Sequence, residues 1–220
     1  MTIAANIQTI KDQLPDHTKL IAVTKTKPVA LLQEAYDAGC RRFGENKVQE
    51  MVEKQSLLPA DIEWHLIGHL QTNKVKYMAS FVSLIHSVDS PKVLQEINKQ
   101  AARHQRVIDC LLQIHIAREE TKFGFDETEV EALLNGPELA QLSNIRIVGL
   151  MGMATNTDDE TQIRREFRFL KGLFDRLSGI QRANVAFREL SMGMSSDYLI
   201  AIEEGSTMVR VGSAIFGTRN

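Results

Sequence analysis

Strand-like and helix-like segments alternate eight times along this sequence, which predicts a (β/α)8 barrel of parallel strands with helices outside. Three observations carry that expectation. Eight short apolar or β-branched runs recur, and each but the last is followed by residues at helical spacing. A length of 220 residues suits one compact barrel. The competing fold, an open doubly wound sheet, calls for Gly-x-Gly-x-x-Gly after the first strand and a switch point, and neither is evident. No linker, low-complexity tract or composition shift divides the chain, so a single domain over residues 1–220 is expected.

The elements follow in order. Ile3, Ile7, Ile10 and Leu14 predict a leading helix over 3–14. The first strand is expected over 20–25, ending in Thr24-Lys25. Pro28 suits a first helical position, Leu31, Leu32, Ala35 and Tyr36 make an apolar face, and Gly39 closes that helix. Strand 42–45 leads into a helix with Val48, Met51 and Val52 inward. Strand 63–67 is followed by Thr72-Asn73 as a cap and a helix through Met78. Strand 84–88 precedes a helix opened by Ser90-Pro91. Strand 108–116 precedes a helix near 128–134, and strand 145–154 precedes the longest helix, 158–178. The seventh strand is expected over 187–191, with Ser195-Ser196 capping a helix that ends at Gly205. The last strand is 208–211.

Bulk composition narrows the function classes. A hydrophobic content of 43%, a charged content of 25% and a formal net charge of −2 describe an ordinary globular chain. No basic excess points to nucleic acid, no apolar run reaches a membrane span, and the N-terminus lacks the pattern of a signal peptide. Cys40 and Cys110 have no metal or redox spacing and read as reduced thiols of a cytoplasmic protein. His65 and His69 are four apart, but the segment has strand character and lacks the Glu of His-Glu-x-x-His, so no metal is expected.

A barrel places its chemistry at the C-terminal ends of its strands. There, Lys25 and Lys27 have two readings: solvated lysines of a loop, or one desolvated amine able to act as a nucleophile. The loops after strands seven and eight read Ser-Met-Gly-Met-Ser-Ser and Val-Gly-Ser-Ala. Both pair hydroxyls with glycine at the positions where barrels bind phosphate, and two such loops favour an anion over plain turns. Which of Ser191, Ser195 and Ser196 would grip it stays open. Arg210 either pairs with Glu45 or Asp89 or hydrogen-bonds a ligand ring beside the phosphate. A lysine, a phosphate grip and an arginine together describe pyridoxal 5′-phosphate, with a phosphosugar bound through a lysine as the competing ligand.

The chain resembles the YggS/PROSC family of pyridoxal phosphate homeostasis proteins over nearly its whole length. The resemblance rests on Ala22-Val-Thr-Lys-Thr-Lys-Pro28, Phe43-Gly-Glu-Asn46, Trp64-His-Leu-Ile-Gly68 with Leu70-Gln-Thr-Asn-Lys74, Leu190-Ser-Met-Gly-Met-Ser195, and the segment from Gly205 to Gly217. It implies a barrel of the alanine racemase type (pyridoxal phosphate fold type III) without a C-terminal β domain. It also implies an internal aldimine on Lys25, Arg210 facing the pyridine nitrogen, and Gly212 and Ser213 at the phosphate. Spacing alone does not choose between Lys25 and Lys27. Asn46, Ser191, Met194 and Ser195 complete the expected cofactor set. Glu45 is expected to pair with a strand cation. His69 stands where a proline is common and is given no role.

The resemblance implies binding and delivery of cofactor, with apo-enzymes as acceptors, rather than turnover. A two-base racemase needs a second acid or base, usually a tyrosine. Tyr36, Tyr77 and Tyr198 all fall in predicted helices. Arg210 does not give up its proton near neutral pH, so the ring nitrogen would stay unprotonated and the ring a poor electron sink. A monomer is expected. The alternatives are a weak amino-acid racemase and a regulatory module responsive to its cofactor load.

Overall fold

A computed structural model describes residues 2–217. Its eight strands are β1 (Lys19–Val23), β2 (Arg42–Glu45), β3 (Glu63–Leu66), β4 (Leu84–Val88), β5 (Ile108–Ile114), β6 (Ile145–Gly152), β7 (Val185–Met194) and β8 (Met208–Val211). They form a closed barrel in chain order. The ring is sealed by parallel pairing of β1 with β8, in register from Lys19 opposite Met208 to Ala22 opposite Val211.

Nine helices lie among the described residues: α1 (Ile3–Gln13), α2 (Val29–Asp37), α3 (Val48–Gln55), α4 (Val75–Met78), α5 (Pro91–Arg103), α6 (Glu127–Asn135), α7 (Glu160–Leu177), α8 (Tyr198–Glu203) and α9 (Ser213–Phe216). None is long and apolar enough to cross a membrane. Their starts are written in the sequence. Ser90 accepts from the Val93 amide to open α5, and Asp126 and Glu129 form a capping box on α6. The α7 stripe of Ile163, Phe167, Leu170, Leu173 and Leu177 is buried against the sheet. Truncating a residue such as Phe167 there would cost about 3–5 kcal/mol.

Several expectations needed correction. Strand β1 ends at Val23, not Lys25, because Thr26 takes φ +62° and turns the chain. Thr72 and Asn73 do not cap a helix; they form a short 3-10 turn that runs into α4. Strand β7 continues to Met194, past the expected end at Ser191, with an irregular register against β8 that lets its last residues keep pairing. Ser195 and Ser196 do not cap α8, whose first flanking residue is Asp197. Strand β8 is followed by a helical turn, α9, where none was expected; four residues are too few to show a period.

The larger core lies between the sheet and the helices and includes Phe43 and Trp64, whose rings meet edge to face at 5.9 Å. A second, smaller core fills the barrel itself: Ile21, Leu84, Leu111, Val148, Met151 and Met208. Two-residue alternation carries side chains from this inner plug to both ends. On β1 the inward ladder begins with Lys19 and Ile21, then reaches Val23 and, beyond the strand, Lys25. On β8 it is Met208, then Arg210 and Gly212. This ladder brings residues far apart in sequence to one mouth.

Candidate functional site

The mouth at the C-terminal ends of the strands is a cavity of about 500 Å3, a size suited to a small cofactor. Val23, Lys25 and Lys27 come from the β1 side, Asn46 from beyond β2, and Ile67 and Met153 from beyond β3 and β6. Met194 ends β7 and Ser195 and Ser196 follow it; Arg210 lies on β8 and Gly212 and Ser213 follow it. Its described lining carries three cations and no carboxylate. Such a wall favours an anionic ligand.

One corner of the cavity is built from backbone and hydroxyl groups. The Ser195 hydroxyl accepts from the Gly212 amide at 3.1 Å and the Ala214 amide at 3.5 Å. Gly212 has a second reason to be glycine, since a Cβ there would stand 3.2 Å from Val23 Cβ and 3.3 Å from its carbonyl oxygen. Gly193, in the preceding loop motif, serves packing instead. Its φ of +96° and a virtual Cβ 2.6 Å from Ala201 Cβ show that α8 lies directly against β7 there.

Arg210 is buried and donates to the Ser191 hydroxyl at 2.6 Å and to the Gly152 carbonyl at 3.1 Å. Neither Glu45 nor Asp89 is its partner: Glu45 binds Lys54 at 2.7 Å and Asp89 binds His69 at 3.1 Å. Burial lowers the guanidinium to about 10, against the pull of Asp197, so it stays charged at neutral pH. Asp197 is itself raised by burial, while its hydrogen bond from the Met194 amide and the charge of Arg210 work the other way.

Ser191 is fully buried and not among the cavity lining, so it reaches the site only through Arg210. Behind it runs a column of hydrogen bonds that sequence reasoning did not find. His86 Nδ1 lies 2.9 Å from Ser191 Oγ, His86 Nε2 lies 2.9 Å from His65 Nδ1, and His65 Nε2 lies 3.9 Å from Glu63. An arginine only donates, so the Ser191 hydroxyl accepts from it, and His86 Nδ1 is the acceptor that the described hydrogen bonds offer to the hydroxyl's own proton. By the same reasoning, both histidines carry their proton on Nε2. Burial lowers both below the ordinary imidazole range, His86 furthest, so both are neutral. His86 is thus a buried residue hydrogen-bonded at both ring nitrogens. The link to the arginine had no local signal, because it joins three strands.

Glu45 does not pair with a strand cation. Its partner is Lys54 of helix α3, together with the Thr24 hydroxyl at 2.5 Å, and burial raises its carboxyl. His69 is half-exposed, paired with Asp89 and edge-on to Phe123 at 4.6 Å; it does not line the cavity. No tyrosine lines it among the described residues. Tyr36 donates to Asp61, and Tyr198 bonds Gln13. No group of three His, Cys, Asp or Glu able to hold a metal ion occurs among the described residues.

At its opposite end the barrel has a smaller cavity, about 140 Å3, lined by Lys19, Arg42 and Arg188 and by Glu63, Asp109 and Glu189. Here the charges answer one another: Lys19 pairs with Glu189, Arg42 with Glu63 at 3.0 Å, and Arg188 with Asp109 at 2.6 Å.

Fold and site thus define a class: a closed (β/α)8 barrel with a lysine-bearing, cation-lined mouth. The alanine racemase N-terminal domain family matches residues 1–220. A pyridoxal phosphate homeostasis protein of Aquifex aeolicus is 41% identical over 202 residues, covering 91% of this chain and 87% of that one. PipY of Synechococcus elongatus PCC7942 has been solved without and with PLP bound. The form without PLP superposes with a TM-score of 0.92 at 38% identity and the PLP-bound form with 0.89 at 37%, each covering 98% of this chain and 100% of PipY. An alanine racemase of Clostridium difficile 630 shares the fold at a TM-score of 0.79 and 16% identity, with 57% of its chain covered. The chain belongs to the YggS/PROSC family of pyridoxal phosphate homeostasis proteins, within the alanine racemase N-terminal domain family.

Proposed function

We propose that this chain, acting over residues 1–220 as one binding domain, holds pyridoxal 5′-phosphate covalently on Lys25. It then serves vitamin B6 homeostasis by reversible storage or delivery, with apo-enzymes as acceptors. The observation that carries the reading is the mouth of the barrel, where lysine, arginine, glycine amide and serine hydroxyl groups converge with no carboxylate in the described lining. The PLP-bound relative, 37% identical over the same barrel, supports it.

When bound, the cofactor supplies an aldehyde that condenses with a primary amine and a ring that can accept electrons. Lys25 is the amine. Gly212, Ser213 and Ser195 would hold the phosphate, since the amides and hydroxyl that now satisfy one another could turn to it. Asn46 and Met194 would form the walls. Arg210 would face the ring nitrogen as a donor. Because it keeps its proton at neutral pH, it would offer a hydrogen bond without protonating the ring. That favours holding over carbanion chemistry, as does a described lining without a tyrosine. The relatives are named homeostasis proteins, not enzymes, which fits a carrier. We place this carrier in the cytoplasm as a monomer; its two cysteines are buried thiols.

The test is an absorption spectrum of the protein incubated with pyridoxal phosphate, followed by borohydride and peptide mapping. The expected result is a coloured protein with the label on Lys25, abolished in Lys25→Ala. A protein that stays colourless and traps no label overturns the reading. A substantial turnover of any amino acid, lost in Lys25→Ala, would overturn the carrier role.

A further inference from the structure

Lys25 and Lys27 both line the same cavity, two residues apart on one side of the chain, so alternation alone gives either amine access. What separates them is Thr26, whose φ of +62° is in the left-handed region. A β-branched residue rarely rests there, at a cost on the order of 1–2 kcal/mol. Something outside the loop must hold it. The Thr26 amide donates to Glu50 Oε1 at 2.6 Å. The same carboxylate oxygen accepts from Lys54 Nζ at 2.6 Å, one helical turn further along α3. Lys54 is buried, and its ammonium also donates to the Thr24 carbonyl at 2.7 Å and to Glu45 Oε1 at 2.7 Å. Its three protons thus have three acceptors.

One buried ammonium therefore grips both neighbours of Lys25, Thr24 directly and Thr26 through Glu50. Neither Lys54 nor Glu50 touches the cavity; they stand behind the loop, in the groove outside the barrel mouth. Beyond the turn, Lys27 is drawn to the rim, where its Nζ donates to the carbonyls of Phe216 and Gly217 at 3.3 and 3.2 Å.

We propose that Lys54 and Glu50 are positioning residues that select Lys25 over Lys27 as the amine presented to the carbonyl ligand. The selection rests on the function proposed above. In the reaction selected, the lysine nitrogen bonds to the aldehyde carbon and the carbonyl oxygen leaves as water. Borohydride hydride and a solvent proton then make the C–N link permanent on whichever lysine reacted.

The experiment follows capture of pyridoxal phosphate by the full chain, quenched with borohydride at intervals, with the label assigned by peptide mapping. Wild type should label Lys25. Lys54→Met should slow labelling of Lys25 at least tenfold and place at least a tenth of the label on Lys27. Glu50→Gln, which keeps an acceptor for Thr26 but loses the charge that holds Lys54, should move both readouts the same way by less. Lys54→Met leaves Glu45 buried without its cation, so Glu45→Gln/Lys54→Met provides a second, charge-balanced version with the same expected redistribution. Label confined to Lys25 in both Lys54 variants overturns the selection, whether its rate is kept or merely slowed. Failure of wild type itself to trap label at either lysine overturns the underlying function and the selection with it, and is recognised by appearing before any substitution is made.

Discussion

The two ends of this barrel are built from the same ladder of inward side chains yet treat charge in opposite ways. At the N-terminal end three cations and three carboxylates line a small cavity and neutralise one another. At the C-terminal end three cations line a cavity more than three times as large, with no carboxylate among its described lining. Ion pairs at the closed end hold the strand ends together and leave nothing for a ligand. At the open end Glu45 and Asp89 are paired with Lys54 and His69, and Asp197, which accepts from the Met194 amide and feels the charge of Arg210, is not in the cavity lining. The comparison teaches that the two mouths of one barrel differ in whether carboxylates stand among the cations that line them, a pattern seen only after both ends are laid side by side.

The sharpest way to break the contrast is to give the open end a carboxylate. Ser213→Asp should weaken binding of pyridoxal phosphate about a hundredfold or more, since two like charges about 4 Å apart repel by about 4 kcal/mol at an effective dielectric near 20. An absorbance titration reads this out, and affinity within threefold of wild type would remove the case for a phosphate corner there. A smaller effect tests the column that joins the two ends. His65 and His86 are held neutral by burial, so below about pH 6.5 the unfolded chain takes up protons that the folded chain refuses. Their contribution to stability is complete above that pH and falls as pH drops, by about 1.4 kcal/mol per pH unit for each histidine at the limiting slope. Glu45 and Asp197, raised by burial, act with the opposite sign, so the histidines should be read directly. Their imidazole NMR shifts should titrate below the pH of a free histidine, His86 further below it than His65; titration of both at about pH 6.5 would contradict their burial as neutral rings. The smallest effect is at the closed end. Asp109→Asn loosens its pairs with Arg146 and Arg188, both partly exposed, and should lower the urea midpoint by the equivalent of about 1 kcal/mol. Cofactor affinity should not change, and a loss of affinity would mean that the ends are coupled.

Much of this was legible in the sequence because it is local. Strand runs such as Leu20–Val23, the capping residues Ser90 and Asp126, and the apolar stripe of α7 each announce themselves within a few residues. Lys25, Asn46, Met194, Ser195, Arg210, Gly212 and Ser213 were all expected at the mouth, and all line it. The misses are of another kind. Ser191 follows the strand alternation into the barrel interior, where it meets His86. The Lys54 brace joins a helix to a loop thirty residues earlier, and nothing near Lys54 marks it as buried. The end of β7 was misplaced because Ser-Met-Gly-Met carries little strand propensity and is held in the sheet by its neighbours.

Closure of the ring has a consequence in time. Lys25 stands just beyond β1 and Arg210 lies on β8, neighbours in space because the earliest and latest strands pair. A chain emerging from the ribosome makes the lysine long before the arginine. Until β8 docks, the lysine's half of the mouth has no Arg210, Gly212 or Ser213 opposite it. The capture of a reactive aldehyde proposed for this site would therefore belong to the closed barrel, and a chain still without β8 would lack the means to hold it.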